Sequence, residues 1–449
     1  MNRFTPTRAL QSIKPVSPRS VKSDEAAILG DDDYSKAWAG PESESVFQRL
    51  GGVVENPRPL TPPKAYSQEQ YRFIFSSDDY VDQYITLSVG SSGSTQSFGT
   101  FWLRDNCQCE RCIHPDTRQR IVDTFSIPTK VRPKGNGISY GNDGVHVRWK
   151  LSHKLRPFES HDPIKQVVYP TISFTAVMEE PQGLFEWLEQ IYVWGFCFVE
   201  GVPVDPEATK ALLEKISFIR HTHYGGFWDF TADLTFKDTA YTTEFLGAHT
   251  DNTYFTDPAR LQLFHLLSHT DGDGGASLLV DGFRAASVLR LENPENMHIL
   301  QTEHQPFHSS GNDDVCITPS ALEPVVKMNS TMRRIYQIRW NNYDRAAKRD
   351  WNLIQQHRWY NAARHWNDII TRPEMVIQTQ LEPGTALIFD NWRMLHGRTQ
   401  FTGKRRMCGG YINNDDFISQ YRLQKFGRSH VLQHLGNTYP DKNNPFFYI

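Results

Sequence analysis

Short runs in which apolar and polar positions alternate dominate this chain, and a two-residue period is what a strand with one buried face requires. Leu261-Gln262-Leu263-Phe264-His265-Leu266 shows the alternation, and 376–381, the turn Glu382-Pro383-Gly384 and 385–389 predict strand, turn and strand. Further runs at 83–89, 99–103, 120–125 and 145–149 predict a small sheet-rich region nearer the N-terminus. Helical spacing is rarer. Gly183-Leu184-Phe185-Glu186-Trp187-Leu188 opens an amphipathic helix that leads into a buried strand at 194–199. Asp205-Pro206-Glu207 combines a capping side chain, a proline at the first helical position and an acid in the first turn, so a helix should run from there to about Ile219. Trp351, Ile354, Trp359, Ala362, Trp366 and Ile369 predict one long helix over 346–370, their aromatic stripe serving as packing.

Two polar segments stand out against this pattern. His249-Thr250-Asp251 and Asp390-Asn391-Trp392-Arg393-Met394-Leu395-His396-Gly397-Arg398 together hold two imidazoles and one carboxylate, the donor set of a mononuclear non-haem iron oxygenase. In an extended strand residues i and i+2 share a face, so His249 and Asp251 can grip one ion while Thr250 points away. A distant His396, delivered from the end of the strand at 385–389, completes three ligands on one side of the metal and leaves the others open. The tripeptide recurs at His269-Thr270-Asp271, where it runs into Gly272-Asp273-Gly274-Gly275 and reads as a solvated loop. Many short strands and a minority of helices around such a triad fit a mainly β fold with flanking helices (α+β), a double-stranded β-helix or jelly roll with the metal in its mouth.

Composition sets the limits. At 449 residues, with 39% hydrophobic and 12% aromatic content, the chain can fill the cores of more than one domain. A net charge of -3 leaves no footprint for nucleic acid or an anionic membrane, and the most apolar stretch, near 192–199, is too short to span a bilayer. Arg3, Arg8, Lys14, Arg19 and Lys22 precede the first acid, Asp24, among many Ser and Thr residues, which resembles a mitochondrial transit peptide, a cytoplasmic protein being the alternative. Cys107, Cys109 and Cys112 put three thiolates within six residues. That density suits tetrahedral zinc in a reducing compartment, with His114, His146 or His153 as fourth ligand, and a site without an open position is structural. The expected organisation is a leader and linker over 1–65, a zinc-binding β domain over 66–160, the jelly roll over 161–435 and a tail over 436–449.

Across about 101–423 the sequence closely resembles the 2-oxoglutarate-dependent oxygenases of carnitine biosynthesis, and within them the trimethyllysine dioxygenase family. Trp102-Leu103-Arg104-Asp105-Asn106-Cys107, Asp238-Thr239-Ala240-Tyr241-Thr242, His249 to Phe255, Leu279-Val280-Asp281-Gly282-Phe283, Asn341-Asn342-Tyr343-Asp344-Arg345-Ala346 and Asp390 to Arg398 carry the likeness. It implies that His249, Asp251 and His396 hold Fe(II), and that Cys107, Cys109, Cys112 and His153 hold structural zinc. It gives Arg405 the distal carboxylate of 2-oxoglutarate, with Ser277 near the same group. A guanidinium is a planar fork for a carboxylate, and strand alternation lets only one of Arg405 and Arg406 face inward. Tyr224, Trp228, Tyr241 and Tyr411 match an aromatic cage for a trimethylammonium group, which has no N–H to donate and is held by cation–π attraction and shape. Asp238 replaces the Asn of the γ-butyrobetaine relatives and would pair with an α-ammonium, while Asn341 and Asn342 would meet the substrate's carboxylate end. Asn252 and the tail from Gly436 depart from the family pattern. The implied reaction is hydroxylation of N6,N6,N6-trimethyl-L-lysine at C3, giving the 3-hydroxy product, succinate and CO2, the first step of carnitine synthesis. Dioxygen, ascorbate, the mitochondrial matrix and a homodimer accompany that expectation. γ-Butyrobetaine hydroxylation, the last step, is the nearest alternative, and a zinc-bearing interaction protein without catalysis the remote one.

Overall fold

The structure, a computed structural model, describes residues 71–74, 84–89, 94–141, 144–149, 169–231, 242–329 and 334–436. His153, Asp238, Tyr241, the leader over 1–65 and the tail beyond Gly436 lie outside the described residues. Ser67–Ser139 and Val145–Ile449 belong to one compact unit.

Ten strands organise that unit: β1 (Thr171–Ser173), β2 (Phe196–Glu200), β3 (Trp228–Thr231), β4 (Leu246–His249), β5 (Leu261–Thr270), β6 (Ser277–Asp281), β7 (Val376–Thr379), β8 (Thr385–Asp390), β9 (Met394–Arg398) and β10 (Lys404–Ile412). They form a six-stranded sheet in the order β1-β2-β8-β5-β10-β3 and a four-stranded sheet in the order β7-β6-β9-β4. Neighbours run antiparallel except β1 beside β2. From β3 onward the chain changes sheet at every step except β6 to β7, which is the connectivity of the jelly roll expected above.

Alternation decides what each strand buries. Phe196, Phe198, Leu387 and Phe389 point between the sheets with Leu266, Leu279, Met394 and Met407. Their neighbours Cys197, Val199, Ala386 and Ile388 turn outward onto the helices Gly183–Trp194, Pro206–Ile216 and Asn414–Phe426. Leu278, Val280 and Leu395 of the smaller sheet pack beneath Gly282–Glu292, Pro294–Thr302 and the long helix Leu353–Ile370. Both faces of the central strands are therefore covered, so β2 and β8 read as nearly continuous apolar runs.

Several elements differ from the sequence expectation. Helix, not strand, occupies Thr100–Asp105, and at 120–125 there is only a bridge from Arg120 to Ile113 followed by a 3-10 turn at Thr124–Ser126. The cause is tertiary: buried Asp105 collects Arg345 (2.7 Å), Thr124 (2.6 Å), Tyr360 (2.5 Å) and Arg120, a network that outweighs local alternation. The long helix begins at Leu353 rather than 346, because Asn352 and Gln355 close a capping box and Ala346 N is tied to Pro306 O at 2.9 Å. Trp359 and Trp366 are fully buried as a packing stripe, but Ile354 is 62% exposed. His269 and Thr270 are not loop residues; they finish β5, paired with Arg405 and Lys404, and only Asp271, with φ 60°, starts the turn. His396 comes from its own strand, β9, rather than from the end of β8. Nearer the N-terminus, Tyr71–Ile74, Tyr84–Val89 and Ser94–Gly99 make a three-stranded antiparallel sheet.

Candidate active site

His249 ends β4, His396 sits at the middle of β9, and the sheet register pairs the two directly. Their ring centroids are 4.4 Å apart. Asp251 lies just past the strand, in a turn held by its surroundings: Thr250 N donates to Trp340 O (2.7 Å), Asp251 N donates to Asn391 Oδ1 (2.7 Å), and Asn391 Nδ2 donates back to Asp251 O (3.1 Å). Asn252, with φ 59°, takes the left-handed conformation next in the chain, which gives an asparagine at this position a backbone reason.

His249 Nδ1 lies 2.8 Å from Gly247 O, so a proton belongs there, and its Nε2 stands 3.2 Å from Asp251 Oδ1. His396 Nε2 is 3.5 Å from the same oxygen, and one donor atom from each of the three residues falls within 4.8 Å of the others. The second oxygen of Asp251 accepts from Gln262 Nε2 and from Tyr411 OH, both at 2.8 Å, which aims Oδ1 at the imidazoles. Burial opposes the charged form of Asp251, yet His396 and His249 hold its carboxyl well below the ordinary range. Two imidazole nitrogens and one carboxylate oxygen on one side, with a cavity on the other, are the donor set and openness that mononuclear Fe(II) takes.

Of the expected residues, Ser277, Tyr224, Trp228, Tyr411, Asn341 and Arg405 line this cavity. Asn342 does not: its side chain turns to Thr124 (3.1 Å) and accepts from Arg345 Nε (3.1 Å). Arg405 is buried and Arg406, next along β10, is exposed in an ion pair with Asp229 at 2.5 Å. Burial lowers Arg405 to about 10, and its Nε is without a hydrogen-bond partner among the described residues. Two glycines shape these walls. A Cβ at Gly275, whose φ is +71°, would stand 3.4 Å from Arg405 Cδ and Nε, and one at Gly409 would lie 2.4 Å from the Trp228 ring. Trp228 meets Tyr411 edge-on at 6.3 Å, while Tyr224 OH reaches Tyr254 OH at 3.1 Å.

Gln119, Tyr254, Asp344 and Arg398 also line the cavity and were missed by sequence reasoning. Tyr254 and Asp344 lie inside motifs already quoted, so their spacing from His249 and Asn341 was the available signal. Gln119 offered none, since it reaches the cavity only by tertiary folding.

The cysteines form a second cluster. Cys107 Sγ is 3.5 Å from Cys109 Sγ, which is 3.6 Å from Cys112 Sγ, and Arg104 Nη1 donates to Cys112 Sγ at 3.3 Å. Hydrogen bonding from the Cys112 thiol, with help from Cys109 and Arg104, pulls Cys107 down to about 4. His114 Nδ1 accepts from the backbone of Asp116 and Thr117, both at 3.2 Å, and His146 is exposed; neither joins the sulfur cluster.

The family described as taurine catabolism dioxygenase TauD, TfdA matches residues 154–411, and gamma-butyrobetaine hydroxylase-like, N-terminal, matches residues 85–159. A trimethyllysine dioxygenase of Neurospora crassa is 42% identical over 395 residues, covering 76% of this chain and 83% of that protein. A mitochondrial trimethyllysine dioxygenase of Mus musculus is 36% identical, covering 75% and 85%. A gamma-butyrobetaine dioxygenase of a Pseudomonas species is 29% identical, covering 74% and 91%.

Proposed function

The chain belongs to the trimethyllysine dioxygenase family, within the TauD/TfdA dioxygenases, and from that premise we propose that it hydroxylates C3 of N6,N6,N6-trimethyl-L-lysine with Fe(II), 2-oxoglutarate and dioxygen, releasing succinate and CO2. The observation that carries the reading is the convergence of His249, Asp251 and His396 in a cavity that has a buried guanidinium in one wall and an aromatic group in another. Bound at the triad, iron would activate dioxygen, the oxidant that hydroxylation of an unactivated carbon needs, with the oxidative decarboxylation of 2-oxoglutarate supplying the two balancing electrons.

The chain's own residues bind and orient. Arg405, a buried planar cation, takes the distal carboxylate of 2-oxoglutarate, with the Ser277 hydroxyl as a second donor. Tyr224, Trp228 and Tyr411, with Tyr241, surround the trimethylammonium end and so fix the distance of C3 from the metal. Asn341 meets the polar end, and Asp238 and Asn342 remain part of the proposed substrate contacts. Cys107, Cys109 and Cys112, with His153, hold a structural zinc. Mammalian relatives named mitochondrial favour that compartment, and the matrix, a homodimer and ascorbate as auxiliary reductant complete the proposal.

Purified protein with Fe(II), 2-oxoglutarate and either trimethyllysine or γ-butyrobetaine tests it by succinate release. Trimethyllysine should drive turnover at least tenfold more efficiently, roughly one contact's worth of discrimination. A preference for γ-butyrobetaine overturns the substrate assignment.

A further inference from the structure

One buried cation is not part of the cavity lining yet touches the turn that carries Asp251. Arg339, 1% exposed, follows the strand Arg334–Ile338, and its Nη2 donates to Thr253 O at 2.7 Å and to Phe255 O at 2.9 Å. Its Nε and Nη1 have no hydrogen-bond partner among the described residues. Burial pushes the group down to about 10 against the opposite pull of Glu323 and Asp257, so it stays charged at neutral pH. Burying a guanidinium with two of its three nitrogens unsatisfied costs stability, and an apolar side chain of similar size would avoid that cost. What the third nitrogen does is therefore the informative contact.

That nitrogen closes the far end of the metal turn. At the near end Trp340, the next residue, accepts from Thr250 N at 2.7 Å and donates its own N–H to Thr250 Oγ1 at 2.9 Å. Two consecutive residues thus grip the chain just before Asp251 and again two and four residues after it. Between the grips Asn252 takes the left-handed conformation, φ 59°, and Phe255 N donates to Asn252 O at 2.9 Å. The Asn252 amide and the Thr253 hydroxyl are buried without hydrogen-bond partners among the described residues, so these side chains give the turn no polar support. A left-handed residue other than glycine costs energy that surrounding contacts must offset, and Arg339 supplies two of them. The arginine is itself fixed, its N donating to Val325 O at 2.8 Å.

We propose that Arg339 is a positioning residue of the metal site: clamped to the carbonyls of Thr253 and Phe255, its guanidinium locks the turn and keeps the Asp251 carboxylate within reach of His249 and His396. The inference rests on the triad holding a metal, as proposed above, and deepens that reading. It assigns the half-satisfied buried cation to metal affinity rather than to the core.

The probe is Co(II), whose visible absorption reports its ligands, titrated into metal-free protein. The part of the signal that His396→Ala removes belongs to the triad rather than to the sulfur cluster. Arg339→Met, which keeps the length and deletes the donors, should weaken Co(II) binding at the triad by roughly 10 to 100-fold, the range for losing an outer support of a metal ligand. Arg339→Lys, which keeps a charged donor near the same carbonyls, should recover part of that loss. Leu289→Ala opens a cavity in the helix layer, far from the turn in sequence, and should lower the melting temperature while Co(II) affinity stays within about twofold. Arg339→Leu is measured in parallel, so that a Met variant without a cooperative melt still leaves an apolar side chain to read. A folded apolar variant that binds Co(II) like the parent overturns the assignment. So does an affinity that falls as far in Leu289→Ala as in Arg339→Met, since the loss then follows general stability, and so does failure of both apolar variants to fold, which makes Arg339 a core residue. A parent without any Co(II) signal that His396→Ala removes rejects the metal triad itself, an outcome distinct from a triad that binds metal and ignores Arg339.

Discussion

His249, Asp251 and His396 come from distant parts of the chain and meet because the register of β4 and β9 brings them together, whereas Cys107, Cys109 and Cys112 come from one short segment after the helix Thr100–Asp105. Two of the triad residues sit on paired strands and the third in the turn that follows, and all three face a cavity; the sulfur cluster grades from buried at Cys112 to exposed at Cys109. A metal that does chemistry needs positions the protein leaves open, while a metal that braces a fold is enclosed by ligands close in sequence. The two clusters should therefore fail differently.

The largest effect is expected at the triad. His249→Ala or Asp251→Ala should lower succinate-coupled turnover by about a thousandfold or more, while the melting temperature stays within roughly 3 °C, because these side chains support catalysis rather than the core. Asp271→Ala, in the second tripeptide, should change turnover by less than about twofold. A comparable loss at Asp271 would move the metal site to the wrong tripeptide.

Cys109→Ser should invert that pattern. Loss of one thiolate from a closed site removes metal-coupled folding energy, so the melting temperature should fall by roughly 5 °C or more and bound zinc should drop out. Metal analysis beside calorimetry checks this, and a variant that keeps both zinc and its melting temperature rules out the structural role.

Between these extremes stands Arg405. Arg405→Ala should raise KM for 2-oxoglutarate by about 10 to 100-fold, the value of a buried charge-assisted pair, and leave KM for trimethyllysine much less affected. Arg406→Ala removes only a surface ion pair, with side-chain exposures of 49% and 28%, and should cost well under 1 kcal/mol. The opposite ranking would show that β10 is out of register by one residue.

Legibility followed the range of the forces involved. Period-two alternation announced β5 and the strand-turn-strand pattern announced β7 and β8, while alternation required only that one of Arg405 and Arg406 face inward and the family resemblance chose Arg405, which is the buried one. The cap at Asp205 was legible because it is local; its side chain accepts from Ala208 N at 3.1 Å. The helix Thr100–Asp105 was not, since Phe101 and Trp102 adopt it to pack with the long helix and Asp105 adopts it to reach Arg345. Gln119 and the outward turn of Asn342 were equally hidden, because both depend on segments more than two hundred residues apart meeting at one wall. The triad lay between these cases: its residue types were readable, but the direct pairing of His249 with His396 is a property of the sheet.

The smallest expected effect tests whether the aromatic wall and the metal site are independent. Tyr411 lines the cavity with its ring and donates its hydroxyl to Asp251 Oδ2 at 2.8 Å, so one side chain serves both. Tyr411→Phe keeps the ring and deletes the hydrogen bond. Gln262 still donates to the same oxygen, so the carboxylate should stay oriented and Fe(II) affinity should weaken only about 3 to 10-fold, less than the full value of a charge-assisted hydrogen bond because the second donor remains. KM for trimethyllysine should stay within about twofold, because cation–π attraction belongs to the ring. Iron titration followed by substrate kinetics at saturating iron separates the two roles. If the Phe variant binds iron like the parent but loses substrate affinity, the hydroxyl serves the substrate rather than the ligand carboxylate. In that case the triad would owe its orientation to Gln262 and Asn391.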